Sequence, residues 1–200
     1  MQYKEFGKTG IRLSALGFGT NRFNVKDIND DEGILNAANI VRQAICSGIN
    51  YIDIAHSYSN YTAEAILKTA LLNLKNEYHI TTKISYEKDK TSDGAFHRIE
   101  NSLKNIGISK AAFCYIWSVN SYYEYEQIMK KGGIYEGAVR ARSLGLIDHI
   151  CFSTHASVED IIKIINDDVF EGILISYNVQ NHKLMAPVLE SAYKKSIGVA

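Results

Sequence analysis

Residues 50–55 read NYIDIA and residues 80–84 read ITTKI, and these two short apolar runs contain Asp53 and Lys83. Tyr58 lies between them in sequence. A charge at the end of a buried strand costs free energy unless an opposite charge pairs with it. An acid and a base at the ends of successive strands, with a phenol between them, therefore predict a site in which Lys83 and Asp53 act on Tyr58.

Apolar runs of strand length recur along the chain at similar intervals, and helical patterns fill the gaps between them. The runs cover residues 14–19, 49–55, 79–85, 112–119, 149–153, 172–177 and 196–200. In the gaps, apolar residues fall three or four apart, as in residues 96–106 after the expected cap Ser92 and residues 158–165 after Ser157. Strands that alternate with helices indicate βαβ units and a parallel sheet. Continuous apolar runs are typical of strands covered on both faces.

The fold class that fits this pattern is α/β, as a (β/α)8 barrel of the TIM type. No glycine-rich phosphate turn follows any strand, so a dinucleotide-binding Rossmann fold lacks its main signature. In a barrel the C-terminal ends of the strands carry the site, and Asp53, Lys83, Trp117 and Ser153 all fall there. Residues 3–13 predict a β-hairpin that closes the opposite mouth.

The number of units predicts an incomplete barrel. Seven strand candidates and six helices can be identified, whereas eight units typically need about 250 residues. We therefore expect a single domain over residues 1–200 that is truncated at the C-terminus, with two unpaired edge strands near Leu16 and Val199.

Composition excludes several classes of partner. The net charge is zero and no run of Lys and Arg exceeds a pair, which argues against nucleic acid and anionic membranes. No apolar stretch reaches the length of a membrane span, and the N-terminus lacks the apolar core of a secretion signal. Cys46, Cys114 and Cys151 are interpreted as buried free thiols in a reducing, cytoplasmic compartment, with a metal site as the less favoured alternative. The sequence does not indicate an oligomeric state.

Several segments together resemble the aldo-keto reductases over essentially the whole chain. YKEFGKTGIRLSALGFGT resembles the family's N-terminal hairpin and first strand, and YIDIAHSYSNYTAE its second strand and active-site loop. TTKIS resembles the third strand, and SLKNIG the helix before the fourth. ARSLGLIDHICFSTHA and ILISYN are similar to a branch whose members often carry an iron–sulfur segment, which these 200 residues do not contain.

The resemblance implies hydride transfer from NADPH to a small-molecule carbonyl substrate, an aldehyde or a ketone. In the family a Tyr donates the proton, a Lys and an Asp adjust the acidity of that Tyr, and a His orients the substrate. Tyr58, Lys83 and Asp53 match the first three roles. The fourth position is Trp117, where the family usually has His.

The resemblance also implies a set of cofactor-binding residues. Ser153 and Thr154 match the pair that faces the nicotinamide, and Thr20, Asn21 and Asp53 are placed with them. Leu174 stands where a Gln is common. The family's phosphate-binding loops would lie beyond Ala200, and the sequence does not decide between NADPH and NADH.

The chemistry explains why these residue types are needed. Hydride addition to a carbonyl builds negative charge on its oxygen, so a positioned proton donor lowers the barrier. A free phenol is a weak acid with a pKa of about 10, and a nearby ammonium stabilises its phenolate. An indole donates one hydrogen bond but exchanges no proton at working pH. With Trp117 we expect weaker catalysis or an unusual carbonyl, unless His56 or His155 supplies the missing imidazole.

Each of these residues also has a structural interpretation. Tyr58 could be an ordinary loop residue, Asp53 could cap a turn, Lys83 could extend its charge to the barrel rim, and Trp117 could be a pocket wall. Two other functions stay open: a catalytically impaired barrel that senses cofactor or binds a partner, and an inert fragment.

Overall fold

The computed structural model describes all 200 residues and contains a small hairpin and a larger parallel sheet. The hairpin pairs β1 (Tyr3–Glu5) antiparallel with β2 (Arg12–Ser14). The parallel strands are β3 (Phe18–Gly19), β4 (Tyr51–Asp53), β5 (His79–Ile84), β6 (Ala111–Val119), β7 (Ile147–Thr154), β8 (Gly172–Ile175) and β9 (Gly198–Val199). They lie side by side in chain order, so β3 and β9 form the two edges of the sheet.

Nine helices connect these strands. They are α1 (Asp31–Cys46), α2 (Tyr58–Tyr61), α3 (Ala63–Leu71), α4 (Tyr86–Asp89), α5 (Ser92–Ile106), α6 (Tyr122–Met129), α7 (Ile134–Ser143), α8 (Val158–Asn166) and α9 (His182–Lys194). None of them has both the length and the apolar character needed to cross a bilayer.

The predicted architecture is confirmed, with differences in the details. Seven parallel strands and six helical connections are present, but three connections contain two helices each, which gives nine helices instead of six. The first predicted strand, residues 14–19, is divided, because Ser14 pairs within the hairpin and only Phe18 and Gly19 join the sheet. Helix α5 is capped by Thr91 and not by Ser92, since the extended Thr91 accepts a hydrogen bond from the Gly94 amide.

The core has two layers, one on each face of the curved sheet. Between the sheet and the helices, α5 contributes one buried apolar face that contains Phe96, Ile99, Leu103 and Ile106, as its spacing predicted, and also Ala95. On the other face, Phe6 and Leu13 from the hairpin region pack against Tyr51, Phe113 and Cys151. The hairpin therefore covers the mouth formed by the N-terminal ends of the strands, as predicted.

Phe6 packs closely against two strand glycines, Gly172 and Gly198, where an added side chain would meet its ring. A Cβ atom on Gly172 would lie 2.6 Å from the Phe6 ring, and one on Gly198 would lie 2.5 Å from it. Contacts this short cannot form without a shift of the ring or of the strand.

The three cysteines do not share one environment. Cys114 and Cys151 are buried as predicted, and burial raises the pKa of both thiols. The prediction was wrong for Cys46, which is exposed because it ends α1 on the side of the helix that faces solvent. No group of three or more His, Cys, Asp or Glu side chains is arranged to hold a metal ion.

The Phe6 packing can be tested with a double-mutant cycle. Gly198→Ala should lower the free energy of unfolding by about 1–3 kcal/mol through overpacking, and Phe6→Ala should lower it by about 3–5 kcal/mol. In the Phe6→Ala background, adding Gly198→Ala should cost almost nothing, because the obstructing ring is gone. Urea denaturation of the four proteins measures the coupling, and additive effects would contradict the packing.

Candidate active site

The predicted convergence of an ammonium, a carboxylate and a phenol is present. Lys83 Nζ lies 2.7 Å from Asp53 Oδ2 and 2.6 Å from the Tyr58 hydroxyl oxygen. The Lys83 side chain is 1% exposed and that of Asp53 is 17% exposed. A buried ammonium without a partner would be very unfavourable, so these two contacts explain how Lys83 occupies the barrel interior.

Neighbouring strands fix the carboxylate. Asp53 is the last residue of β4, which pairs in parallel with β5, the strand of Lys83. The Thr81 hydroxyl accepts the Ile54 amide at 2.9 Å, and its single proton has two acceptors within reach, Asp53 Oδ1 at 3.3 Å and the Ile54 carbonyl at 3.2 Å. Lys83 at Oδ2 and Thr81 beside Oδ1 therefore limit the orientation of the carboxylate.

An unusual turn presents Tyr58. The next three residues, Ser59, Asn60 and Tyr61, have φ values of 49°, 55° and 65°, in the left-handed region that non-glycine residues rarely adopt. Ser59 stabilises this conformation because its hydroxyl donates to the Thr20 carbonyl at 2.8 Å and accepts the Phe23 amide at 3.0 Å. Strain held by surrounding contacts is typical of functional sites.

Thr20 and Asn21 support this turn. Thr20 is fully buried, and its hydroxyl donates to the Asp53 carbonyl at 3.0 Å. The Asn21 carbonyl accepts the Ser59 amide at 3.3 Å. Both residues therefore shape the loop that carries Tyr58, and their cofactor-binding role stays a prediction.

An uncharged layer lies beneath the charged group. Tyr115 is in register with Lys83, and its hydroxyl lies 3.1 Å from that of Tyr51. Burial raises the pKa of Tyr51, and the charge of Asp53 adds to this effect. Burial likewise raises the pKa of Tyr115. Both phenols therefore stay neutral, which leaves Asp53 and Tyr58 as the polar contacts of the ammonium.

Tyr58 and Lys83 open into a cavity of about 240 Å³ at the C-terminal mouth of the sheet. Its remaining walls are Trp117, Ser153, Thr154, His155, Leu174, Ile175 and Ser176. The Trp117 ring stands edge-on to the Tyr58 ring, with the centroids 5.9 Å apart and an interplanar angle of 90°. The cavity thus contains the predicted proton donor and two of the five predicted cofactor contacts, Ser153 and Thr154, whereas Thr20, Asn21 and Asp53 do not line it.

Ser153 and Thr154 differ in what they can offer to a ligand. They are the last two residues of β7. The Ser153 hydroxyl oxygen accepts the Ser118 amide at 2.9 Å, which leaves its proton free. The Thr154 hydroxyl both donates to the Val119 carbonyl at 2.6 Å and accepts the Ala156 amide at 3.0 Å. Ser153 is therefore the better donor to a bound ligand.

The two candidate imidazoles are also distinguished. His155 is exposed and lines the cavity, whereas His56 is not among the residues that line it. Burial lowers the pKa of His56, and the charges of Arg98 and Lys88 lower it further, so this ring is neutral at pH 7. Only His155 is placed to reach a ligand in the cavity.

Two structural features beside Trp117, a bulge and the side chain of Lys88, were missed by the sequence analysis. The register between β6 and β7 shifts between Ile116 and Val119, and Ser118 has a φ of 59°, so a bulge sets the direction of Trp117. Lys88 Nζ lies 5.6 Å from the centroid of the Trp117 ring. The sequence carried no signal for either, because a bulge within an apolar run has no distinctive residue and Lys88 lies on a separate helix.

Comparison with known sequences identifies the same family that the sequence motifs resemble. The sequence model of the Aldo/keto reductase family matches residues 15–200. A protein of Arabidopsis thaliana assigned as a voltage-gated potassium channel subunit beta is 31% identical over 106 residues, which is 49% of this chain and 30% of that protein. The chain therefore matches less than a third of the length of this curated relative.

Solved structures share the fold. An aldo-keto reductase structure from Pseudomonas aeruginosa superposes with a TM-score of 0.80 at 23% identity, over 98% of this chain and 75% of the other. An aldo-keto reductase of Klebsiella pneumoniae in complex with NADPH gives a TM-score of 0.77 at 16% identity, over 100% of this chain and 67% of the other. The incomplete barrel is thus similar to part of a complete one.

The Lys83 contacts predict a specific pattern of stability. Lys83→Met should lower the free energy of unfolding by roughly 3 kcal/mol, because it leaves the Asp53 carboxylate without its cation. Adding Asp53→Asn should recover part of this loss. Lys110→Met, which removes an exposed pair at 2.9 Å from Asp148, should have a much smaller effect. If urea denaturation shows equal losses of unfolding free energy for Lys83→Met and Lys110→Met, the buried pair contributes no more to stability than the exposed one.

Proposed function

This chain belongs to the aldo/keto reductase family, and we propose that it reduces the carbonyl group of an aldehyde or ketone with a hydride from NADPH. The observation that carries the proposal is the position of Lys83 Nζ, 2.6 Å from the Tyr58 hydroxyl and 2.7 Å from Asp53. This arrangement suits a phenol that must give up a proton.

The residues of the chain supply the proton and the electrostatic field. As the carbonyl carbon accepts a hydride with its two electrons, negative charge builds on the carbonyl oxygen. Tyr58 gives its hydroxyl proton to that oxygen, which forms an alcohol and leaves a phenolate. The Lys83 ammonium, 2.6 Å from the Tyr58 oxygen, stabilises the phenolate, and Asp53 holds the ammonium in place at 2.7 Å. Water then returns a proton to Tyr58.

The cavity fits the nicotinamide end of the cofactor. The free hydroxyl proton of Ser153 can be donated to a carboxamide oxygen, while Leu174 and Ile175 offer an apolar surface for a ring. NADPH, when bound there, supplies the hydride. The NADP-containing structures of Klebsiella pneumoniae and Bombyx mori aldo-keto reductases support this choice of cofactor.

The proposed compartment is the cytoplasm. All three cysteines are free, and none is paired in a disulfide. Unpaired thiols are typical of proteins in reducing compartments.

A second candidate function is a cofactor-binding module that regulates a partner protein. Trp117 favours it, because an indole exchanges no proton where the family usually has an imidazole. The relatives from Arabidopsis thaliana and rice assigned as potassium channel beta subunits favour it as well. Such a protein would bind NADPH through the same cavity without efficient turnover.

One experiment separates the two functions. The chain has a single tryptophan, Trp117, on the cavity wall, so NADPH binding should quench its fluorescence. NADPH consumption is then followed by absorbance with a panel of aldehydes and ketones. Tyr58→Phe should lower kcat by about 100-fold or more, because it removes the proton donor, while quenching by NADPH persists.

Tyr61→Phe is the matched control, since Tyr61 lies in the same turn but is 66% exposed. This variant should keep wild-type turnover. Quenching without consumption of NADPH by the wild-type protein would instead support the regulatory module. Failure of NADPH to quench Trp117 would reject both functions for this chain.

A further inference from the structure

Trp117 separates two cavities at the C-terminal mouth of the sheet. One is the cavity of about 240 Å³ that contains Tyr58 and Lys83. The other, of about 320 Å³, is lined by Ser85, Glu87, Lys88, Trp117, Ser118, Asn120 and Glu124. Trp117 is the only residue that lines both. Its indole therefore forms the wall between the reacting groups and the second space.

The second cavity is polar apart from this wall. The Asn120 backbone N–H donates to the Glu124 carboxylate at 3.0 Å, and the Asn120 side-chain amide donates to the Ser118 carbonyl at 2.7 Å. Lys88 and Glu87 are exposed, so their charged groups can reach a ligand in this cavity. Groups of this kind bind hydroxyl-rich molecules through hydrogen bonds and do not suit a hydrocarbon chain.

Contacts on both sides hold the wall in place. On one side the Trp117 ring meets the Tyr58 ring edge-on at 5.9 Å. On the other side Lys88 Nζ lies over it at 5.6 Å. The bulge at Ser118 sets the backbone from which the ring projects. Movement of the indole would break both contacts, so the closed wall is the stable arrangement.

We infer that Trp117 determines substrate specificity, confining the reaction to short aldehydes and ketones and excluding polyhydroxylated ones. This inference rests on the proposed carbonyl reduction. A short carbonyl compound fits beside the nicotinamide in the first cavity. A hydroxylated chain needs the polar groups of the second cavity, which the indole blocks, and against the indole its hydroxyls would lose their hydrogen bonds to water.

The test compares substrates of different polarity across wall variants. Propanal, butanal and erythrose are assayed with NADPH, since butanal and erythrose share a four-carbon chain and differ in hydroxyl groups. The wild-type protein should prefer propanal and butanal. Trp117→Ala should raise the ratio of kcat/KM for erythrose to that for butanal by about tenfold or more. Trp117→Phe, which keeps an aromatic wall, should leave this ratio within about twofold of wild type.

Trp117→Val removes the indole while keeping a residue suited to β6, so it should act in the same direction as Trp117→Ala. An unchanged ratio in both variants, or a wild-type protein that accepts erythrose as well as butanal, would overturn the inference.

A binding measurement separates failure of this inference from failure of the proposed function. Erythritol carries no carbonyl group, so its binding does not depend on catalysis. Ligand-detected NMR should show interligand NOEs between erythritol and the nicotinamide of bound NADPH with Trp117→Ala and not with wild type, in which the indole separates the two cavities. Absence of NADPH turnover in every protein would reject carbonyl reduction alone. Equal interligand NOEs in wild type and Trp117→Ala would show that Trp117 does not separate the cavities, and would reject this inference.

Discussion

The position of one ammonium group organises this molecule. Lys83 projects from β5 into the interior of a curved parallel sheet, where its nitrogen lies within 2.7 Å of Asp53 and 2.6 Å of Tyr58. A charge in that environment is tolerated only when its partners are fixed. The strand register, the Thr81 contact and the strained turn at Ser59 all serve to fix them. The site is therefore built from backbone geometry as much as from its three side chains.

The same geometry separates structural and reactive functions between the two mouths of the sheet. At the N-terminal mouth, Phe6 packs against Gly172 and Gly198 and seals the interior. Above it, Tyr51 and Tyr115 form a neutral layer. The C-terminal mouth contains Asp53, Tyr58 and Lys83, in keeping with the general arrangement of (β/α)8 barrels. Family membership and fold agree with this division.

Much of the fold and part of the site could be predicted from the sequence, for physical reasons that differ by residue. Asp53 and Lys83 were identifiable because charges within apolar runs require partners. The pairing of Ser14 with the hairpin, and not with the parallel sheet, could not be predicted. An apolar run does not show where a hairpin ends and a sheet begins. The left-handed turn after Tyr58 could not be predicted either, because its three residues with positive φ are not glycine. The hydrogen bonds that occupy the Thr154 hydroxyl depend on Val119 and Ala156, whose positions follow from the complete fold.

The exposure of Cys46 has a practical consequence. It ends α1 near the N-terminal mouth, while the other two thiols are buried. A maleimide dye would therefore attach at one point, and the lone indole at the far rim would act as its energy-transfer donor. Without any engineered substitution, the efficiency of energy transfer from Trp117 to a dye on Cys46 would thus report the distance between the two ends of the sheet as the chain unfolds.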